Sequence, residues 1–121
     1  MRAFDLQDTL VRINYNKMLE SAANPTLLYK PVGDFIIISA QPLGRIRIIL
    51  RSTIERLFPN CTRVVFVSGS ERQIIEAKAR AIREYGVTEF TDNNTKILTE
   101  LAKLVPNVKL YKISNGERSP F

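Results

Sequence analysis

Residues 35–39 read FIIIS, a run of four apolar residues that ends in a serine. A strand with one face in water alternates between apolar and polar residues, so a run without alternation predicts a strand buried on both faces. Strands of this kind lie in the middle of parallel sheets, where helices cover both faces. The run therefore indicates an α/β domain with a parallel sheet.

Further β-rich segments alternate with amphipathic segments on either side of this run. The sequence predicts other strands at residues 1–5, 63–67, 87–91 and 108–113, and helices near residues 16–23, 45–58, 70–86 and 95–105. We expect one three-layer, Rossmann-like α/β domain over residues 1–113, with a five-stranded, mainly parallel sheet and helices on both faces. The lysines of the last strand suit a sheet edge, and residues 114–121 are polar enough for a flexible C-terminal tail.

Composition narrows the classes of site and partner. The 121 residues include 18 Lys and Arg, 12 Asp and Glu, and no His, for a net charge of +6. This charge favours anionic partners such as phosphates, nucleotides or nucleic acid. A single cysteine, Cys61, cannot form an intrachain disulfide, and without His a typical zinc site is excluded, so any metal ion must be held by oxygen. The chain has no long apolar run and no secretory leader, so we expect a cytoplasmic protein without a membrane partner.

The arginines of two predicted helices allow two interpretations. Either all of them form a solvated positive surface, which is the more common role, or Arg45 and Arg47 lie at the edge of a ligand-binding crevice and contact the backbone of a nucleic acid. The full set is Arg45, Arg47, Arg51, Arg72, Arg80 and Arg83.

Polar side chains follow four of the predicted strands. Parallel sheets joined by helices bind their ligands in the crevice beyond the carboxyl ends of the strands, so these residues are candidates for a site. Each residue also has a purely structural interpretation, because Asp after a strand commonly forms a turn and Asp before a helix commonly caps it. Carboxylate oxygens at these places could instead hold Mg²⁺. The four residues are Asp5, Ser39, Ser68 and Asp92.

Lys78 is unusual because its neighbours on the same helix face are apolar. Ile74, Ile75, Ala81 and Ile82 lie three and four residues away from it. Burying an ammonium group without a partner is costly, so the side chain either extends past the edge of the apolar face to water or meets an anion. Meeting an anion would place its nitrogen beyond the sheet, near Asp5 and Asp92.

Four segments, taken in order, resemble the motifs of the haloacid dehalogenase superfamily of aspartate-dependent phosphotransferases. Residues 4–10, FDLQDTL, are similar to the first motif, and residues 36–39, IIIS, to the second, a strand that ends in Ser or Thr. Lys78 is similar to the lysine of the third motif. Residues 89–94, EFTDNN, resemble the fourth motif, in which a strand ends in paired acidic residues. The resemblance spans nearly the whole chain and implies a haloacid-dehalogenase-like fold.

The resemblance also implies roles for particular residues. Asp5 would attack phosphorus, with a catalytic set that comprises Asp5, Gln7, Thr9, Ser39 and Lys78. The implied substrate contacts come from Ser39, Ala40, Gln41, Arg45 and Lys78. The implied Mg²⁺ site is formed by Asp5, Gln7, Asp92 and Asn93. The segment between residues 10 and 34 is too short for the cap domain that many relatives insert, so we expect a capless, open site for a phosphorylated small molecule, a nucleotide or a nucleic-acid end.

The sequence departs from the family pattern at three positions. Gln7 stands where the family has an aspartate that acts as acid and base, and a carboxamide cannot exchange a proton. Asn93 replaces the second acidic residue of the fourth motif, which should weaken Mg²⁺ binding. Gln41 stands where related nucleic-acid phosphatases often carry Arg, which weakens the expected recognition of substrate.

Two functions therefore remain open. One is a phosphatase that works through an aspartyl-phosphate at Asp5, with acid/base catalysis impaired by Gln7. The other is a catalytically inactive module that has kept the fold and binds phosphate, nucleic acid or protein. An unrelated response-regulator-like or flavodoxin-like domain is a third interpretation, but receivers usually carry the phosphorylated aspartate after the third strand, and Asp5 follows the first.

Overall fold

The computed structural model describes residues 1–121, apart from the side chain of Tyr15. The strands are β1 (Arg2–Phe4), β2 (Val11–Arg12), β3 (Thr26–Leu27), β4 (Phe35–Ala40), β5 (Cys61–Val67), β6 (Glu89–Asp92), β7 (Lys109–Ser114) and β8 (Glu117–Pro120). The α-helices are α1 (Met18–Ala23), α2 (Arg45–Leu57), α3 (Glu71–Glu84) and α4 (Thr95–Leu104). None of the described helices combines the length and the apolar composition that crossing a membrane requires.

Six strands form one sheet in the order β5-β4-β1-β6-β7-β8, and β2 and β3 form a small antiparallel sheet of their own. Neighbouring strands from β5 to β7 are parallel, and β8 is antiparallel to β7. From β1 the chain continues through β4 to β5 on one side, and then returns to β6 on the other side of β1. The strand order reverses beside β1, so the carboxyl ends of β1, β4 and β6 meet at this switch point.

Alternate residues of β4 enter two different hydrophobic cores. Ile36 and Ile38 pack with α3 and α4 on one face of the sheet, whereas Ile37 packs with α1 and α2 on the other. All three side chains are almost completely buried. The structure thus confirms a three-layer α/β arrangement in which helices cover both faces of a mainly parallel sheet.

The last two helices begin where the sequence predicts. Ser70 and Gln73 form a reciprocal capping box at the start of α3. At the start of α4 the capping side chain is that of Asn94, which accepts a hydrogen bond from the Ile97 N–H at 3.1 Å. Asp92 is therefore not the helix cap, and its carboxylate is available to other partners.

The prediction of five strands is wrong, because the sheet has six and is mixed. The additional strand is β8, which lies within the segment expected to be a flexible tail and pairs with β7, so β7 is an inner strand and not an edge strand. The sequence of β8 is polar and lacks the alternation of apolar and polar residues that identifies strands. A usable signal was nevertheless present: Asn115 and Gly116 have φ angles of 51° and 81°, and an Asn-Gly pair between strands is typical of a tight hairpin.

Candidate functional site

Three charged side chains meet where β1 and β6 end. Asp5 follows β1, Asp92 is the last residue of β6, and Lys78 lies in the middle of α3. The Lys78 Nζ lies 2.8 Å from an Asp92 carboxylate oxygen and 3.2 Å from an Asp5 oxygen. The exposed fractions of Lys78, Asp92 and Asp5 are only 1%, 1% and 7%. Of the two alternatives that the sequence left open for Lys78, extension to water or contact with an anion, the structure shows contact with anions.

The turn after β1 brings Thr9 back toward Asp5. The Leu10 N–H donates to the Leu6 carbonyl at 2.8 Å, which closes a helical turn. The Thr9 hydroxyl lies 3.2 Å from Asp5 Oδ2 and 3.3 Å from Asn93 Oδ1. Thr9 thus connects the end of β1 to the loop that follows β6.

The two carboxylates share the ammonium group of Lys78, and the pKa values of Lys78 and Asp5 reflect this arrangement. Burial removes water from Lys78, but the charges of Asp5 and Asp92 more than offset this loss and raise the lysine pKa. Burial raises the pKa of Asp5 from 3.8 to about 6, and the charge of Asp92 adds to the rise, which Lys78 offsets only in part. Asp5 is therefore mostly ionised at neutral pH, in a cluster of two carboxyl groups and one ammonium group.

Ser39 contributes a buried hydroxyl near the end of β4. Its side chain is almost completely buried, and Ser39 Oγ has no hydrogen-bond partner among the described residues. The hydroxyl nevertheless lies near enough to Asp5 to lower the pKa of that carboxyl slightly. An unsatisfied buried hydroxyl is uncommon and costs stability, so its presence beside Asp5 suggests a place where a ligand oxygen completes the hydrogen bonding.

The side chains of Gln7 and Gln41 lie next to each other at the mouth of the site. Gln41 Nε2 is 3.5 Å from Gln7 Oε1. Gln7, Ala40, Gln41 and Pro42 contribute to a cleft of about 310 Å³ between the β1 turn and the start of α2. Two carboxamides and apolar side chains surround this cleft, so it offers hydrogen bonds but no acid or base.

A second cleft, of about 360 Å³, lies on the other side of the same loop and includes Ser68. Asp5 lines neither cleft. A larger cavity of about 500 Å³ lies beside β2 and β3, but none of the predicted site residues lines it. Arg45 is exposed and makes no hydrogen bond or ion pair with any described residue, so its predicted contact with substrate stays a prediction.

The strand ends place two carboxylates, those of Asp5 and Asp92, beside Lys78. Each carboxylate already accepts a second hydrogen bond: Asp5 Oδ2 from Thr9, and Asp92 Oδ1 from the Asn94 N–H at 3.0 Å. No group of three or more His, Cys, Asp and Glu side chains in the described structure comes close enough to hold a metal ion. Mg²⁺ is commonly bound by one or two carboxylates with water and phosphate, so the Mg²⁺ site expected at Asp5, Gln7, Asp92 and Asn93 stays a prediction.

The structure also contains an interaction that the sequence did not predict. Arg118 of β8 donates from Nε to Thr91 Oγ1 at 2.9 Å, and its guanidinium lies 3.7 Å from the centre of the Tyr111 ring. Thr91 precedes Asp92, so Arg118 fastens the C-terminal hairpin to the strand that carries one of the site carboxylates. It was missed because residues 114–121 were expected to lack structure.

The fold and this cluster define a class of domain: a doubly wound, mainly parallel α/β domain with two buried carboxylates and a lysine at its switch point. Comparison with protein-family models, with curated proteins and with solved structures gives no significant match.

Proposed function

We propose that the chain is a capless haloacid-dehalogenase-type phosphotransferase domain that hydrolyses a phosphomonoester through a phosphorylated Asp5. The observation that carries the proposal is the buried cluster in which Asp5 and Asp92 share Lys78 at the switch point of the sheet. A lysine between two strand-end carboxylates can offset the charge of a bound phosphoryl group as well as theirs. The buried, unpartnered hydroxyl of Ser39 supplies a donor for a phosphoryl oxygen.

In the proposed reaction an ionised Asp5 oxygen attacks phosphorus in line, a P–O bond forms, and the bond between phosphorus and the leaving oxygen breaks. The raised pKa of Asp5, about 6, leaves the carboxylate ionised at neutral pH and makes it more basic than an ordinary aspartate. Ser39 donates to a phosphoryl oxygen, and Lys78 stabilises the negative charge. Because Gln7 has no proton to give, the leaving oxygen takes its proton from water, and water then hydrolyses the aspartyl-phosphate slowly.

A Mg²⁺ ion fits the proposal as the missing positive charge. Asp5, Asp92, Asn93 and the backbone carbonyl of Gln7 are the oxygen donors that would hold it. When bound, the ion would neutralise negative charge on the phosphoryl group. Thr9 keeps Asp5 and Asn93 in place from the protein side.

The second candidate function is a binding module without catalysis. The carboxamide pair formed by Gln7 and Gln41 favours it, because these two side chains satisfy each other at the position where a proton donor would be needed. In this case the pocket would still take a phosphate, but no turnover would follow.

A phosphatase assay with a generic aryl phosphate and Mg²⁺ separates the two functions. Slow hydrolysis by the wild type that is abolished in Asp5→Asn supports the enzyme. Asp8→Asn is the matched control, because Asp8 is exposed in the same turn, and asparagine tolerates its φ angle of 61°. No activity in the wild type together with activity in Gln7→Asp would identify a domain that has lost catalysis.

A further inference from the structure

Two arginines of α2 lie over one aromatic ring on β5. The guanidinium carbon of Arg51 is 4.9 Å from the centre of the Phe66 ring, and that of Arg47 is 5.8 Å from it. β5 is an outer strand of the sheet, and Phe66 is half-buried there. We call Arg47, Arg51 and Phe66 the Phe66 surface. A ring beneath a guanidinium holds that flat group in place while its outer face stays open.

The Phe66 surface is continuous with the candidate site. Phe66 is the register partner of Ser39, so the two side chains are neighbours on the same face of the sheet. Arg47 donates from Nη2 to the Gln41 carbonyl at 2.9 Å and from Nε to the Pro42 carbonyl at 3.2 Å. Gln41 and Pro42 line both clefts at the end of β4. A long ligand could therefore lie across the Phe66 surface with its end at the clefts.

Helix α2 carries an excess of positive charge, with four arginines, Arg45, Arg47, Arg51 and Arg56, and one acidic residue, Glu55. Arg63 of β5 lies on the opposite face of the sheet, where it covers the Tyr85 ring at 4.7 Å. Within the described structure no arginine of α2 or β5 forms an ion pair, whereas Arg72 of α3 pairs with Glu76. An anionic partner would supply the missing counter-charges.

Apolar side chains are exposed next to these arginines. Leu43, in the loop before α2, is 78% exposed, and Ile48, in the first turns of α2, is 72% exposed. Neither phosphate nor a simple polyanion has an apolar surface that could pack against these two side chains. Unpaired nucleobases have such a surface, and they stack on flat guanidinium groups and on apolar side chains.

We infer that the Phe66 surface binds single-stranded nucleic acid. Phosphates contact Arg47 and Arg51, and unpaired bases stack on the outer faces of the guanidinium groups that Phe66 supports. A duplex fits less well, because its bases are already stacked and paired. This binding goes beyond the proposed function, since it requires no chemistry at Asp5.

The test is fluorescence anisotropy of a labelled single-stranded oligonucleotide of mixed sequence over a range of salt concentrations. The double variant Arg47→Ala/Arg51→Ala should bind at least about tenfold more weakly, and its slope of log K against log salt should be smaller by about 1.4, since each phosphate contact contributes about 0.7. Arg51→Ala alone leaves the contacts of Arg47 with the loop intact and should reduce the slope by about 0.7. The matched control is Arg80→Ala, an exposed arginine of α3 on the opposite face of the sheet, which should change affinity by less than about twofold.

Two further variants separate stacking from charge. Arg51→Lys keeps the charge but loses the flat group, so it should weaken binding several-fold at an unchanged melting temperature. Phe66→Leu removes the ring beneath the arginines, so it should weaken binding several-fold at temperatures where the variant is folded, and its melting temperature should be lower because Phe66 packs against the core. Asp5→Asn should bind as the wild type does, which distinguishes this inference from the proposed function. Equal affinity for a duplex or for polyphosphate, or equal losses in Arg80→Ala and Arg51→Ala, would overturn the inference.

Discussion

Replacing Asp5 by asparagine should make the folded protein more stable at neutral pH while removing the proposed nucleophile. An acid whose pKa is raised on folding holds its proton more tightly in the folded protein than in the unfolded chain. The favourable contribution of Asp5 to the free energy of unfolding is therefore complete below pH 3.8, and it is lost as the pH rises through about 6. The rise from 3.8 to about 6 corresponds to about 3 kcal/mol. Asparagine resembles the protonated acid in shape and carries no charge, so it avoids this cost.

The assay is urea denaturation followed by circular dichroism at several pH values. Asp5→Asn should exceed the wild type in free energy of unfolding by about 3 kcal/mol at pH 7.5, and by only about 1 kcal/mol at pH 4.5. Asp8→Asn, the exposed control in the same turn, should follow the wild type at both pH values. If Asp5→Asn were less stable than the wild type at pH 7.5, Asp5 would be a structural member of the ion cluster, and the reasoning from its burial would be wrong.

Four further changes test other parts of the structure. Gln7→Asp should raise the rate of aryl phosphate hydrolysis at least about 10²-fold, since it restores an acid/base group. Lys78→Met should cost about 3 to 5 kcal/mol in urea denaturation, because it leaves two buried carboxylates without their cation. Arg118→Leu should cost about 1 to 2 kcal/mol in the same measurement, through its lost hydrogen bond and ring contact. Gly116→Ala should cost about 1 to 3 kcal/mol, because its φ is 81° and a Cβ would lie 2.9 Å from the Leu28 carbonyl oxygen.

Each of these predictions has a clear contrary result. An unchanged rate in Gln7→Asp, with the fold intact, would mean that the missing proton donor does not limit the reaction. A cost below about 1 kcal/mol for Lys78→Met would mean that the carboxylates are not held by the lysine. Wild-type stability in both Arg118→Leu and Gly116→Ala would show that the C-terminal hairpin does not pack on the sheet in solution.

The parallel core of the fold could be predicted because burial on both faces leaves a simple pattern. The isoleucines of β4 and the apolar faces of α2, α3 and α4 appear in the sequence at the spacing that the structure uses. The small pair of β2 and β3 could not be predicted in this way. Each has two residues, which is too short for an alternating pattern. β2 lies in the segment expected as a turn after the first strand, and β3 lies in the segment expected as a loop after residue 23.

The site was predictable in part, for reasons that differ between its residues. Asp5 and Asp92 follow apolar strands, and Lys78 stands out on an apolar helix face, so simple rules identify all three. The cap of α4 was not identified, because Asp92 was considered for that role and Asn94, two residues nearer to the helix, forms the cap. The packing of Arg47 and Arg51 on the Phe66 ring could not be predicted, because Phe66 lies on another element and no local spacing in the sequence relates it to the two arginines.

The most direct test of the central claim is intact-mass and peptide mass spectrometry of the protein after incubation with a small phosphoryl donor and Mg²⁺, with the acyl-phosphate reduced by borohydride before digestion. We expect a single modified carboxyl group, at Asp5, in the wild type and none in Asp5→Asn. Modification at Asp92 instead of Asp5, or no modification of a folded wild type under conditions in which it binds phosphate, would contradict it.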